Sequence, residues 1–214
     1  MVFGGREDGF DNLWSIASRI PGYITRNEGR VLYGLSKNQS PLGNIIEIGP
    51  YFGRSTFLLA MGIRHASPSS SLVSIDDFSK QESNTFPEAQ NPEKGLRDML
   101  QQNNLSDIVT VISGNSENVL LRIPTKSASL IFIDGLHTAD QLHLEFEQAK
   151  RMLQNNGALI IHDYNNPAVD RAYSQWIHSN IVLKHPSIYI LDSTPEYQGN
   201  GMLIVPRLVT HESL

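Results

Sequence analysis

The segment Asn44-Ile-Ile-Glu-Ile-Gly-Pro-Tyr-Phe-Gly-Arg-Ser-Thr56 decides the fold. Its three isoleucines predict a short buried strand, and Gly49 and Gly53 predict the turn that follows. From Ser55 an apolar pattern of helical spacing continues to Ala60. A strand, a glycine turn and a helix in this order are typical of open α/β sheets, where the turn holds a nucleotide-like ligand near a helix N-terminus.

Glu47, which stands two positions before the first glycine, indicates the kind of ligand. The glycines are spaced Gly-x-x-x-Gly, so the dinucleotide pattern Gly-x-Gly-x-x-Gly is not met. A carboxylate at this point would repel a pyrophosphate and attract an ammonium or a sulfonium group. S-adenosylmethionine carries both of these cations, so the residues favour it over NAD.

This segment resembles the first motif of class I S-adenosylmethionine-dependent methyltransferases. Ile20-Pro-Gly-Tyr23 and Phe132-Ile-Asp-Gly-Leu-His137 are similar to a bacterial subgroup of small-molecule and sugar O-methyltransferases. The similarity extends from about Ile20 to Tyr164, and Tyr51 replaces the usual middle glycine of the first motif. The resemblance implies S-adenosylmethionine as the cofactor and a seven-stranded sheet whose last strand is antiparallel.

Strands and helices alternate along the rest of the chain. Further strands are predicted at 72–75, 108–112, 129–133, 158–161, 187–191 and 202–206, and Asn155-Asn-Gly157 is expected to end the helix before the fifth strand. The predicted fold is therefore α/β, a Rossmann-like, doubly wound, mostly parallel seven-stranded sheet with an antiparallel edge hairpin.

Residues 1–40 are predicted to form an N-terminal helical extension packed on the core, and residues 41–214 the S-adenosylmethionine-binding methyltransferase domain. The two helices of the extension either only cover the sheet or also close over the cofactor or pair two subunits, so a homo-oligomer stays an open alternative. Segment 78–95 is rich in polar residues and predicts a loop on the ligand side of the sheet. This loop is either a lid, with Phe86 packed inward, or a plain surface excursion.

Composition excludes several classes of function. The chain of 214 residues has a net charge of -5 and shows no cluster of lysine and arginine, so we expect neither nucleic acid nor an anionic membrane as a partner. It contains no cysteine, which removes disulfides, thiol nucleophiles and cysteine metal sites. With no apolar segment of membrane-spanning length, the sequence predicts a cytoplasmic protein.

Cofactor contacts are predicted where the first, second and third strands end. Asp76 follows the second strand, where a carboxylate accepts hydrogen bonds from ribose hydroxyls. The turn at Gly114 and Asn115 is expected to contact the adenine edge, and Ser116 either joins it or only caps the next helix. The predicted cofactor-binding residues are Glu47, Gly49, Pro50, Tyr51, Gly53, Arg54, Ser55, Asp76, Asp77, Gly114, Asn115, Ser116 and Asp134.

Asp134 and Asp163 follow the next two strands, and their hard oxygen ligands suit Mg²⁺ or another divalent cation. In metal-dependent O-methyltransferases that resemble this chain, carboxylates at these strand ends hold such a metal. His162 is a third candidate ligand, with a packed histidine as the alternative.

His137, together with Asp134, forms the predicted catalytic set, in which the imidazole removes the proton of the acceptor during in-line transfer. A helix cap is the alternative role of His137.

These observations predict a methyltransferase that acts on a hydroxyl of a small molecule, such as a sugar or a phenolic secondary metabolite, with assistance from a divalent cation. Carbon and nitrogen acceptors stay open. An NAD-linked oxidoreductase is a second hypothesis, which Glu47 and the missing middle glycine disfavour. A non-catalytic cofactor-binding partner protein is a third, and it would not require Asp134, His137 and Asp163 to converge.

Overall fold

The computed structural model describes residues 9–66, 69–79, 90–180 and 201–206. Its elements alternate as the sequence predicts. In chain order they are α1 (Phe10–Ala17), α2 (Arg26–Gln39), a 3-10 turn (Ser40–Leu42), β1 (Asn44–Ile48), α3 (Arg54–Ala66), β2 (Leu72–Asp76), α4 (Pro92–Gln102), β3 (Val109–Ser113), α5 (Ser116–Leu120), β4 (Ala128–Ile133), α6 (Ala139–Met152), β5 (Leu153–Ile161), α7 (Pro167–Asn180) and β6 (Leu203–Pro206).

The strands form one sheet in the order β3-β2-β1-β4-β5-β6. The pairs from β3 to β5 are parallel, and β6 lies antiparallel to β5. The described residues therefore contain six strands and not the predicted seven, because the segment predicted as the remaining strand, 187–191, lies outside them. The chain reverses its direction of winding between β1 and β4, and a crevice at such a switch point is the usual ligand site.

Apolar side chains cover both faces of the sheet. Successive residues of a strand point to opposite faces, so Ile45 belongs to a buried cluster with the first four helices while Ile46 belongs to a second cluster with the last three. Every residue of β4 is buried, as expected for a parallel strand covered on both sides. No helix in the described ranges is both long and apolar enough to cross a membrane.

Helix α4 begins earlier than the sequence predicts. Asn91 precedes it, and its side-chain Oδ1 accepts a hydrogen bond from the Lys94 backbone N–H at 3.0 Å. Pro92 occupies the first turn, where its missing N–H costs nothing. The predicted loop 78–95 is thus too long at its carboxyl end. Residues 80–89, with Phe86, lie outside the described residues, so the lid stays a prediction.

Strand β5 is longer than predicted and includes Asn155-Asn-Gly157, which the sequence suggested as a helix stop. Helix α6 ends at Met152, and the strand starts at the next residue. The register shifts here, because Ala128 of β4 lies opposite Leu153 whereas Leu130 already lies opposite Ala158. The extra β5 residues form an irregular stretch with two exposed asparagines, which explains the polar composition of this part of a strand.

Candidate active site

A cavity of about 620 Å³ opens at the carboxyl ends of β1, β2, β4 and β5. Its volume lies within the range of roughly 300–1,000 Å³ that is typical of small-molecule sites, and it occupies the switch point of the sheet. The predicted site residues that line it are Gly49, Pro50, Tyr51, Arg54, Ser55, Asp76, Asp77, Asp134, His137, His162 and Asp163.

A second cavity of about 90 Å³ adjoins the first. The two share lining residues from the ends of β1, β2 and β4, including Gly49 and Asp76. Asn115 and Ser116 line only the smaller one. The Asn115 side chain accepts a hydrogen bond from the Glu117 N–H at 2.8 Å and so caps α5. Ser116 is therefore not the cap of this helix, which was one of the two roles expected for it.

Asp76 stands between the two cavities with its carboxylate fixed by the backbone. Its Oδ1 accepts a hydrogen bond from the Phe78 N–H at 2.8 Å, and its Oδ2 accepts one from the Tyr51 N–H at 3.3 Å. Burial raises the pKa of Asp76, and these two backbone donors oppose that rise. A carboxylate held at this strand end is placed to accept hydrogen bonds from a ligand diol.

Tyr51 explains how the turn works without its usual middle glycine. The residue has φ 52°, in the left-handed region that favours glycine and disfavours a bulky side chain. Its ring stacks on Tyr23 with centroids 6.1 Å apart and meets Phe52 edge-on at 4.7 Å. The backbone thus keeps the shape that a glycine would give, and the side chain becomes part of the cavity wall.

Glu47 lies beneath the turn and does not line either cavity. It is fully buried and accepts hydrogen bonds from Thr56 Oγ1 at 2.7 Å and Ser74 Oγ at 2.6 Å. These contacts connect β1 to α3 and β2. Burial raises the pKa of Glu47, and the surrounding hydroxyls oppose the rise.

The two turn glycines are required for packing within the protein. Gly49 has φ 83°, and a Cβ there would lie 2.1 Å from the backbone oxygen of Asp134. Gly53 has φ 95°, and a Cβ there would lie 2.5 Å from Leu96 Cδ1 and 2.6 Å from Met99 Cε. Gly53 therefore faces α4 and not the cavity. Gly114, likewise, is not among the lining residues of either cavity.

Arg54 attaches the N-terminal extension to the cavity. Its Nε donates to the Ile20 carbonyl at 2.8 Å and its Nη1 to the Ile24 carbonyl at 3.0 Å. Gly22 and Tyr23, which lie between these carbonyls, line the cavity. The segment that connects the two helices of the extension therefore forms part of the cavity wall, whereas closure of the helices themselves over the ligand stays a prediction.

The acidic residues and histidines at the ends of β4 and β5 converge in the cavity. His137 Nε2 lies 2.8 Å from Asp163 Oδ2, and His162 Nδ1 lies 2.9 Å from Asp134 Oδ1 and 3.4 Å from Asp163 Oδ1. One ligand atom each from Asp134, His162 and Asp163 lies within 4.8 Å of the others. Two carboxylates and an imidazole at this spacing fit the donor set of a divalent cation.

His162 also contacts a buried acid that the sequence analysis did not include. Its Nε2 lies 3.5 Å from Glu28 Oε1, and the side chains are 1% and 0% exposed. Burial alone would lower the pKa of His162, but Asp134, Glu28 and Asp163 raise it well above its ordinary value. Burial raises the pKa of Asp134, so Asp134 and His162 both attract the proton that lies between them. Glu28 and Asp163 stabilise the charged imidazole and thereby favour the proton on His162.

The Glu28 side chain closes a capping box at the start of α2. Glu28 Oε2 accepts a hydrogen bond from the Thr25 N–H at 2.8 Å, and Thr25 Oγ1 accepts one from the Glu28 N–H at 3.3 Å. Burial raises the pKa of Glu28, yet His162 and the Thr25 donors lower it below its ordinary value overall. The Thr-x-x-Glu spacing was the available sequence signal for this residue.

Residues 46–164 match the sequence profile of a family described as a methyltransferase domain. The chain belongs to this family. The resemblance to class I S-adenosylmethionine-dependent methyltransferases is thereby confirmed, and the alternative of a dehydrogenase loses its support.

Solved structures with the same fold include other methyltransferases. A Geobacter sulfurreducens methyltransferase is 22% identical, with 97% of this chain and 92% of that one covered and a TM-score of 0.62. A Bacillus cereus O-methyltransferase in complex with SAH is 17% identical, with 96% and 94% covered and a TM-score of 0.62. TomG from Streptomyces achromogenes, an O-methyltransferase involved in tomaymycin synthesis and in complex with SAM, is 14% identical, with 96% and 92% covered and a TM-score of 0.61.

Glu145 is a second functional candidate of the methyltransferase that the sequence analysis missed. It lies on the buried face of α6 and lines the smaller cavity, with 1% of its surface exposed. Its place in the sequence carried a signal, because it follows Leu142 by three positions and precedes Ala149 by four, and both of these are core residues. A carboxylate at such a position needs hydrogen-bond partners, as buried charged groups do.

Proposed function

We propose that this methyltransferase transfers the methyl group of S-adenosylmethionine to a hydroxyl oxygen of a small molecule. The observation that carries the proposal is the His137–Asp163 pair, which lies in the same cavity as Asp76, the carboxylate that the sequence predicts as the ribose contact. A base and a cofactor contact in one cavity are what such a transfer requires. The O-methyltransferases that share the fold, with SAH or SAM bound in two of them, support the choice of cofactor and acceptor.

The described residues fit this cofactor. Asp76 takes the ribose hydroxyls, and the smaller cavity beside it takes the adenine ring. The larger cavity, which continues past Gly49 toward Asp134, takes the amino acid part and the acceptor. Glu47 supports the turn from below, which is a different role from the direct contact with a cation that the sequence suggested.

Bound S-adenosylmethionine supplies an electrophilic methyl group on a sulfonium. The protein has to orient the acceptor and to remove its proton. Asp163 is placed to accept the hydrogen bond from His137 Nε2–H, which leaves the lone pair of Nδ1 free to take a proton. Nδ1 is shielded from solvent and has no hydrogen-bond partner in the part of the chain that the structure describes, so in this proposal the acceptor hydroxyl becomes its partner. We assign His137 Nδ1 as the general base.

The acceptor in this proposal is a sugar or a phenolic secondary metabolite, as the sequence suggested. The stacked rings of Tyr23 and Tyr51 line the cavity and offer an aromatic surface to a flat acceptor. Asp134 and Asp163, which line the same cavity, offer oxygen atoms to acceptor hydroxyls. TomG, which shares the fold, is an O-methyltransferase involved in tomaymycin synthesis and supports the choice of a small-molecule acceptor.

The proposal includes a divalent cation held by Asp134, Asp163 and His162. Asp163 can serve two partners, because its Oδ2 contacts His137 while its Oδ1 lies toward His162. The cation would take the place of the His162 proton, since a metal-ligating imidazole nitrogen is unprotonated. Bound there, it would lower the pKa of an acceptor hydroxyl.

Calorimetry with S-adenosylhomocysteine and NAD tests the cofactor. We expect S-adenosylhomocysteine to bind and NAD not to bind, and preferential binding of NAD would overturn the proposal.

The acceptor is tested with a panel of sugars and phenols in the presence of S-adenosylmethionine. The release of S-adenosylhomocysteine is the readout. Transfer to a carbon or nitrogen nucleophile, with every hydroxyl compound inert, would contradict the assignment of the acceptor atom.

A further inference from the structure

We propose that Glu145 recognises the 6-amino group of the adenine ring and thereby selects adenine over its 6-oxo counterpart. The inference rests on the proposed function, because it assigns a residue to the cofactor of that same site. Glu145 comes from α6, whereas the predicted adenine contacts, Asn115 and Ser116, come from the turn after β3. The smaller cavity brings the two regions together.

Only one of the two carboxylate oxygens of Glu145 accepts hydrogen bonds from described residues. Its Oε1 accepts from Ser116 Oγ at 2.8 Å and from Gln141 Nε2 at 2.9 Å. Gln141 Nε2 also donates to Ser116 Oγ, so the three side chains form a closed group. The other carboxylate oxygen, Oε2, has no hydrogen-bond partner among the described residues, although it is shielded from solvent.

A buried carboxylate oxygen without a donor is costly, because it has lost its water and gained no replacement. Burial raises the pKa of Glu145, whereas Gln141 and Ser116, which donate to the carboxylate, oppose that rise. In the ionised form, which these two donors favour, the carboxylate can only accept hydrogen bonds, so the partner of Oε2 would be a donor. The walls contributed by Ile48 and Ile75 are apolar and suit the faces of a flat ring. A ring with an exocyclic amine meets both requirements, and adenine is the part of the cofactor that carries one.

The same cluster admits a purely structural role, in which Glu145 only ties α6 to the start of α5 through Ser116. The two roles differ in what they forecast for a change of the ring. If Glu145 only connects the two helices, its replacement should change the affinity of every ligand of the cavity equally. A direct contact affects the ligands according to the group at position 6, since a 6-oxo group is an acceptor where the amine is a donor.

Glu145→Gln separates these roles, because the amide keeps one oxygen for Ser116 and Gln141 and places an NH₂ group where Oε2 was. Calorimetry should show that the wild type binds S-adenosylhomocysteine at least about tenfold more tightly than S-inosylhomocysteine, its 6-oxo analogue. In Glu145→Gln this preference should shrink about tenfold or reverse. Glu117→Gln, a change of an exposed acid in the first turn of α5, is the matched control and should keep the wild-type preference.

Circular dichroism and thermal unfolding establish that the variants are folded. Ser116→Ala is a second test, because it removes the hydrogen bond that connects α5 to Glu145 and leaves Oε2 in place. The variant should therefore keep the preference for the 6-amino ligand. An unchanged preference in Glu145→Gln, or an equal loss for both ligands, would overturn the inference and leave the proposed function intact. Failure of the wild type to bind S-adenosylhomocysteine would instead overturn the proposed function.

Discussion

His162 Nε2 lies 3.5 Å from Glu28 Oε1, and neither side chain reaches solvent. One partner belongs to the N-terminal helix α2 and the other follows β5, at the cavity. The contact therefore joins the extension to the residues that carry the chemistry. It is an ion pair when His162 is protonated, which its raised pKa favours.

Glu28→Gln tests the contribution of this pair to stability. The amide keeps an oxygen for the Thr25 N–H and places an NH₂ group opposite His162 Nε2, so it removes the charge and the acceptor that face the imidazole. We expect a loss of about 3 kcal/mol in the free energy of unfolding, because the change deprives a buried cation of one partner while Asp134 and Asp163 remain. Urea denaturation measures the loss, and Glu117→Gln should change stability by less than about 0.5 kcal/mol. A loss below about 1 kcal/mol in Glu28→Gln would contradict the pairing.

The packing of the turn can be tested with two glycine substitutions of opposite expected sign. Gly53→Ala should lower the free energy of unfolding by about 2 kcal/mol or more, since it combines a positive φ with a clash against α4. Gly34→Ala, within α2, places its Cβ in open space and should raise stability by about 0.5–1 kcal/mol. Equal effects of the two changes would show that neither the positive φ nor the contacts with Leu96 and Met99 restrict the residue at position 53.

The conformation of Tyr51 makes a prediction about relative stability. At φ 52° a glycine is relaxed and an alanine is strained. Tyr51→Gly should therefore be about 1 kcal/mol more stable than Tyr51→Ala, although both variants lose the stacking on Tyr23. Thermal unfolding of the pair gives the answer, and the opposite order would mean that the turn does not hold this residue in the left-handed region.

The burial of Glu47 predicts a dependence of stability on pH. Its pKa is raised above the ordinary value of 4.5, so the folded state keeps a proton that the unfolded state has already released. Stability should therefore fall as pH rises from about 4.5 to the raised pKa, and Glu47→Gln should make this fall smaller. The raised pKa values of Asp76, Asp134 and Glu145 contribute the part of the fall that remains. Ser74→Ala, which deletes one donor to the carboxylate, should extend the fall to higher pH. Parallel pH profiles for the wild type and Glu47→Gln would argue against a raised pKa.

The proposed cation predicts a separation of activity from cofactor binding. Asp134→Asn should reduce methyl transfer by at least about 100-fold, whereas affinity for S-adenosylhomocysteine should change less than about fivefold. EDTA should mimic the variant, and Mg²⁺ or Mn²⁺ should restore the wild type. Full activity of the wild type in EDTA would remove the cation from the mechanism.

His137→Ala separates the base from the cation. It leaves the three proposed metal ligands in place and should slow transfer most for acceptors of high pKa, which depend most on a general base. Asp163→Asn should combine this defect with a loss of metal affinity, because Asp163 contacts both groups. If His137→Ala affects all acceptors equally, His137 orients the loop and does not take the proton.

Local patterns were sufficient to predict most of the fold. The isoleucines of β1 and the alternation of strands and helices indicated the parallel sheet, and Asp76, Asp134 and Asp163 were correctly expected at strand ends. A strand end is a local feature of sequence. All parallel strands end on the same side of the sheet, so their last residues reach one cavity without further information.

The parts that were not predicted depend on contacts between distant segments. The glycine spacing could not show that Gly53 faces Leu96 and Met99, because these two residues of α4 come more than 40 positions later in the sequence. The same holds for Glu28 and Glu145, whose partners lie on other elements. The boundary at Leu153 was missed for another reason, since the shift in strand register tolerates asparagines that ordinarily indicate a turn.

The bonds from Arg54 to the Ile20 and Ile24 carbonyls also bear on how the protein is made. A ribosome releases the segment around Tyr23 early, and Arg54 can hold it as soon as α3 has formed. The ribosome releases Asp134, His162 and Asp163 much later. The part of the cavity wall around Tyr23 can therefore form before the residues that are proposed to carry the chemistry. A nascent chain halted before β5 would contain Glu28 without His162, the cation with which it pairs. We therefore expect such chains to remain sensitive to protease in the N-terminal segment until His162 has emerged.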